Sequence, residues 1–316
     1  MPALIILAIT SLACLLMASI PSVTFLAAIV WGSVLISAAF FLKRWQIITI
    51  YMINIGILYA LNGKASLLFY LTFFGIAVLI MALMLVSNRS YYQIQKLGMI
   101  TAILGVSIFM GVLYLGSGQI GVQEMEKQLD SYLQESMKVY EESGLMAIYE
   151  EQGLSKADAE EGFTAIAKSF ARHLPAFYYL EAIMVIFLML WGASLVSRKL
   201  KLERLKKRPY SQEKMPWQLV WITIAGLSLW LWGNEKQLEL VYYIGSNILV
   251  VIAPISIYYG IAALAFKIKQ QSKGKKKWIT SGLVILSVIF PLSAVIFFGL
   301  LGLFDALLDF RKLGLE

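Results

Sequence analysis

LPAFYYLEAIMVIFLMLWGASLV, residues 174–196, followed at once by SRKLKLERLKKR, residues 197–208, decides the fold class. The first stretch carries a single charge, Glu181, in 23 residues. At about 1.5 Å of rise per residue it reaches roughly the 30 Å of a bilayer's hydrocarbon core. The second stretch turns abruptly basic. An apolar rod ending in lysines and arginines is the pattern of a membrane helix whose end is held at the cytoplasmic surface.

Working outward, the same pattern recurs. Apolar stretches fall at residues 2–20, 22–42, 47–61, 66–86, 97–117, 174–196, 217–233, 240–266 and 279–303. Pro21 separates the first pair, and Asn62-Gly63-Lys64 is a turn signal between the third and fourth. Hydrophobic residues are 59% of the chain and charged residues 15%, which leaves too little polar surface to cover a soluble core of this size. The expected fold is all-α: a polytopic transmembrane helix bundle of about nine spans. Its domains are a five-span unit (1–117), an acidic extracytoplasmic amphipathic loop (118–173) and a four-span unit (174–316). Pro291 offers an alternative, in which the last stretch breaks into a hairpin.

Basic residues set the orientation. Lys43 and Arg44 follow the second stretch, Arg89 and Lys96 the fourth, and six lysines between Lys267 and Lys277 the eighth. After the sixth come Arg198, Lys199, Lys201, Arg204, Lys206, Lys207 and Arg208. All follow even-numbered stretches, so the N-terminus is expected inside the cell. These bases predict contact with anionic headgroups, worth about 1 kcal/mol each near the surface. Val196, Leu200 and Leu205 among them predict a helix lying along the inner leaflet.

The connector 118–173 holds eleven acids against five bases and belongs on the other side. Val122, Met125, Leu129, Tyr132, Ser136 and Val139 recur at helical spacing; Phe163, Ile166 and Phe170 do so after a Ser155/Asp158 helix-start pattern. Small-residue pairs (Ala28/Gly32, Gly56/Ala60, Gly98/Ala102, Gly299 near Gly302) suit close helix packing in lipid.

Catalytic signatures are missing. Neither HExxH nor GxSxG occurs, Asn62-Gly63-Lys64-Ala65-Ser66 lacks the remainder of a phosphate loop, and His173 and Cys14 each stand alone of their kind. No enzyme activity, metal or cofactor is expected, and basic runs without interleaved aromatics do not suggest nucleic acid. Intramembrane polar groups therefore carry the functional reading. Glu181, two turns into its stretch, is costly in lipid unless paired, protonated or facing water. With Asn54 and Asn247 it makes the candidate polar lining of a small-molecule site. The leading expectation is a non-enzymatic transport or small-molecule-binding component; the alternative is a scaffold docking protein partners or anionic lipids through its basic loops.

The later half resembles the YybS-like family of bacterial multi-pass membrane proteins. The residues that carry the likeness are Leu174-Pro175, the basic run to Arg208, Met215-Pro216-Trp217, Asn247, Gly260 with Ala262, and a closing Gly302, Asp305 and Asp309-Phe310-Arg311. The resemblance implies a bacterial cytoplasmic membrane and no assigned reaction. The first half is similar in size, span count and composition to substrate-binding components of energy-coupling-factor vitamin transporters.

Overall fold

The structure, a computed structural model, describes residues 2–117, 129, 131 and 155–313. Among the described residues every regular element is helical: α1 (Pro2–Ser19), α2 (Thr24–Ala38), α3 (Arg44–Tyr70), α4 (Ile76–Val86), α5 (Tyr91–Ser117), α6 (Lys156–Arg172), α7 (Leu174–Lys199), α8 (Gln218–Glu235), α9 (Glu239–Lys269), α10 (Lys273–Ile289) and α11 (Pro291–Leu308). Among these residues six segments are long and apolar enough to cross a membrane: Pro2–Ser19, Arg44–Val86, Tyr91–Gly116, Leu174–Lys199, Glu239–Lys269 and Pro291–Leu308. The chain is a multi-pass helical membrane protein. The first amphipathic stripe of the acidic connector lies almost wholly outside the described residues.

Two compact units form, Met1–Lys207 and Arg208–Glu316. They do not follow the expected boundaries at 117 and 173, because α7 packs on α2 and α5 and so completes the first unit. Trp31, Leu35, Phe73, Met81, Ile186 and Met189 are buried at its centre. Gly32 lets α7 approach, since a Cβ there would collide with the Met189 side chain. Gly98 makes way for Met81 in the same manner, whereas Gly56 faces open space, so the Gly56/Ala60 pair is not a packing site.

The 43 residues from Arg44 to Val86 are too long for one crossing. Gly63, with φ 72° and ψ −170°, breaks them at the expected turn, in a left-handed backbone region that glycine tolerates without strain. Further on, Leu71–Gly75 is a π-helical turn. Thr72 helps it form: its Oγ1 donates to the carbonyls of Leu68 (2.7 Å) and Phe69 (3.2 Å). The wider turn brings its backbone against α5, where a Cβ on Gly105 would strike the Thr72 carbonyl. Nothing in residue type alone had marked this turn.

The basic run is not the surface helix expected. After Lys199 the chain is irregular, with Ser197 Oγ donating to the Leu202 carbonyl at 2.9 Å. Leu205, 1% exposed, is buried in the first unit's core. Lys207 Nζ lies 5.1 Å from the Phe187 ring centroid and 6.0 Å from that of Tyr91, a cation–π arrangement. Folding Leu205 into protein removes more apolar surface from water than leaving it at a headgroup boundary.

In the second unit α8 and α9 pack antiparallel, Gly226 against Ile248 and Gly233 against Tyr242. The expected ninth span is instead two helices. Phe290 (φ −125°, ψ 67°) leaves the helical region, and Pro291 then occupies the first turn of α11, where its missing N–H costs nothing. Gly260 and Gly302 bring α9 and α11 into backbone contact, each lacking the Cβ that would strike the other's helix. A straight 17-residue α10 spans about 25 Å.

Candidate functional site

Two polar constellations stand out, one in each unit. In the first unit Glu181 lies on α7, one turn beyond Tyr178. Its side chain is partly buried and makes no hydrogen bond or ion pair among the described residues. Beside it is a knot of rings. Tyr178 meets Phe73 of the π turn at 5.6 Å and Phe109 of α5 at 5.9 Å, both edge-on, and Phe73 meets Phe109 at 5.2 Å. The next hydroxyl, Tyr179 Oη, shares a 2.8 Å hydrogen bond with Ser107 Oγ. An unpaired carboxylate among rings and hydroxyls is suited to hold a ligand with a cationic or hydrogen-bond-donating group.

The π turn separates this cluster from Asn54. Phe74 points the other way and packs edge-on against Trp31 at 6.1 Å. Trp31 Nε1 in turn donates to Asn54 Oδ1 at 2.7 Å, with Asn54 fully buried. Asn54 Nδ2 has no partner among the described residues. Asn54 thus joins α2 to α3 and makes no hydrogen bond to Glu181. Asn247 lies in the second unit, where its Nδ2 donates to the Tyr243 carbonyl one turn back, at 2.8 Å. Of the expected trio, Asn54 and Glu181 thus lie in the first unit, without a hydrogen bond between them, and Asn247 lies in the second.

The second constellation was only partly foreseen. In the sequence Asp305, Asp309 and Arg311 stand only as the closing motif of the YybS-like resemblance. Arg311 is 5% exposed, and its guanidinium clasps Asp305 through Nε (3.0 and 3.1 Å) and Nη2 (2.6 Å). Its remaining donors reach the carbonyls of Ser211 (Nη1, 2.8 Å) and Glu213 (Nη2, 2.6 Å). The chain swings back to allow this because Asp309 (φ 45°) and Lys312 (φ 48°) take left-handed conformations. Asp tolerates that region better than most residues. Lys214 Nζ pairs with Asp309 at 3.0 Å, Lys269 Nζ donates to Ser211 Oγ at 3.0 Å, and Tyr258 donates to the Glu213 carboxylate.

The second ring of this knot has its own electrostatics. Lys214's hydrogen bond holds the Asp309 carboxyl below its ordinary range. Burial, reinforced by Glu213, pushes the Tyr210 hydroxyl up to about 12; that hydroxyl donates to the Tyr258 carbonyl at 2.8 Å. Every nitrogen of the guanidinium is engaged, which makes the knot a clamp and not a vacant binding site. Gly260 supplies the helix contact beneath it, and Pro216 ends the irregular segment before α8. Pro175, in the first turn of α7, belongs to the first unit.

The remaining bases stay outward. Arg198, Lys199, Lys201, Arg204 and Lys206 are exposed, with no ion pair among the described residues; Lys207 is partly covered, and Arg208 is exposed at the start of the second unit. On the opposite approach to α7, the expected cap is present: Ser155 Oγ accepts from Asp158 N at 3.2 Å and opens α6. Phe163, Ile166 and Phe170 are exposed along α6, and Phe170 stacks on Phe177 at 4.5 Å. His173 closes α6 with Nδ1 2.6 Å from the Ser169 carbonyl, a structural place at a helix junction.

Comparison with known families places the chain. Residues 8–306 match the family described as predicted membrane protein, DUF2232, and the chain belongs to that family. No curated protein matches it. No solved structure does either.

Proposed function

We propose that this member of the DUF2232 family is a non-enzymatic, small-molecule-binding or transport component. In this reading the first unit is the binding module and Glu181 its principal polar contact. The observation that carries the reading is an intramembrane carboxylate without a partner among the described residues, set beside the Phe73/Phe109/Tyr178 rings and a π turn. Charged groups in membrane helices are costly enough that an unpaired one points to a ligand, ion or proton path, and π turns concentrate at functional sites. The break at Gly63 divides the first unit's apolar helices into six (α1, α2, residues 44–62, residues 64–86, α5 and α7). That count supports the likeness to substrate-binding components of energy-coupling-factor transporters. The ligand class is an organic cation or amine-bearing molecule. Asn54 and Asn247 act in helix packing.

Topology follows the same reading. With α10 and α11 as a hairpin and the Gly63 break dividing its segment, the spans number ten instead of nine. Arg311 and Lys312 then lie on the same side as Lys267–Lys277, in keeping with the distribution of bases. On this reading the chain sits in a bacterial cytoplasmic membrane with both ends inside and 118–173 outside, as a YybS-like protein.

The test is native mass spectrometry of gently extracted protein, followed by thermal stabilisation with whatever small molecule is retained. E181Q should lose both the retained molecule and the stabilisation while unfolding at the wild-type temperature without ligand. Retention by E181Q as strong as by wild type would overturn the assignment. A second reading, a scaffold, draws on the exposed bases from Arg198 to Lys206. It requires R204E/K206E to release a co-purifying acidic partner while leaving ligand retention intact.

A further inference from the structure

We infer a binding site for one anionic phospholipid in the cleft between the end of α4 and the start of α5. The cleft, of about 350 Å³, is lined by Met84, Arg89, Gln93, Lys96, Leu97 and Ile100. Gln93, Lys96, Leu97 and Ile100 recur at the spacing of one helix face, so α5 presents polar groups at its first turn and apolar ones just below. Across from them, Met84 of α4 extends the apolar wall. The cleft is therefore divided as a lipid is: cationic at the mouth, hydrocarbon beneath.

Charge complementarity specifies the headgroup. Residues 1–123 contain no Asp or Glu, so α1 to α5 offer nothing to neutralise Arg89 or Lys96. Both are exposed, and neither makes an ion pair among the described residues. A third base, Arg44, is nearby, donating from Nη2 to Ser87 Oγ at 2.9 Å. The mouth also lies at the positive end of the long α5, where backbone N–H groups favour a phosphate. Ser90 N donates to Gln93 Oε1 (3.3 Å), which orients the Gln93 amide and leaves its NH2 group as a further donor at the rim. The guanidinium of Arg89 takes phosphate oxygens two at a time, and Lys96 adds a point charge. Leu97 and Ile100, 39% and 41% exposed, give an acyl chain a surface to follow.

A free inorganic phosphate would use the mouth and not the wall, and zwitterionic lipid would use the wall without benefit from the bases. The experiment separates these sources. Full-length protein in mild detergent is titrated with phosphatidylglycerol, phosphatidylcholine or inorganic phosphate, and the bound species are counted by native mass spectrometry. One phosphatidylglycerol per chain should bind in preference to phosphatidylcholine, undisplaced by millimolar phosphate. R89Q/K96Q should weaken it about thirtyfold, from about fivefold per base. L97N/I100N should weaken the lipid as well, which a pure anion site would not show. R204Q/K206Q, removing exposed bases elsewhere, should leave this one lipid bound. The assignment is overturned if phosphatidylcholine binds equally, if inorganic phosphate displaces the lipid, or if R89Q/K96Q has no effect in protein that still unfolds at the wild-type temperature.

Discussion

Replacing Arg311 with methionine probes the clamp of the second unit most directly. Methionine keeps much of the arginine stem's volume and removes the fork. Asp305, 1% exposed, is left as a buried carboxylate without its cation. Breaking a buried pair in this way costs about 3–5 kcal/mol. The carbonyls of Ser211 and Glu213 lose their donors too, at about 1–3 kcal/mol each where water cannot reach them. For a unit of this size such losses correspond to a fall in unfolding temperature of at least about 10 °C. D305L/R311M should be more stable than R311M alone, because it removes the stranded charge and leaves only the carbonyls unserved. The assay is thermal unfolding in detergent for wild type, both single variants and the double, with hydrogen exchange followed across residues 209–216. If the two single losses simply add in the double variant, the pair carries no coupling and the clamp argument is wrong.

Four further outcomes are expected. W31F removes the donor to Asn54 Oδ1 and should cost about 1–3 kcal/mol, partly recovered in W31F/N54L, by denaturant or thermal unfolding. Gly302→Ala should destabilise by about 1–3 kcal/mol, since the new methyl meets the Ser256 carbonyl and pushes α11 from α9. Gly63→Ala should destabilise by about 1 kcal/mol or more, because its φ of 72° is strained for any side chain; equal melting temperatures would refute this. Asp309's lowered carboxyl contributes stability that is present above its ordinary value of 3.8 and lost as pH falls through its lower folded-state value. K214M should therefore flatten the acid limb of a stability–pH curve, leaving the neutral region nearly level.

Long apolar stretches made the helical membrane fold legible, because the bilayer imposes one solution on a chain that must satisfy its own backbone. Local chemistry also read through: Gly63 breaks its helix, and Ser155 with Asp158 opens another. Pro291 ends one helix and starts the next, the alternative weighed against a single last span. What did not read through was which faces meet. Leu205 looked like a headgroup-level residue, yet it is the plug of the first unit's core. Asn54 was assigned to a lining because an amide in lipid needs a partner; its partner is an indole on the neighbouring helix. The π turn has no distinctive residue signature: Thr72 back-bonds to the preceding turn as threonines in helices do, and its contact with Gly105 exists only in the fold. Arg311 stood in the sequence only as part of a closing motif, and the left-handed turn at Asp309 returns it to Ser211.

The reach from Arg311 back to Ser211 covers 100 positions of chain. A ribosome adds those in roughly 5–20 s. Throughout that interval the carbonyls of Ser211 and Glu213 can be served only by water at the membrane surface, while α8 and α9 are already threaded. Order of synthesis thereby becomes order of assembly: the last arginine to emerge is the bolt, and a nascent chain halted before it would hold the second unit open.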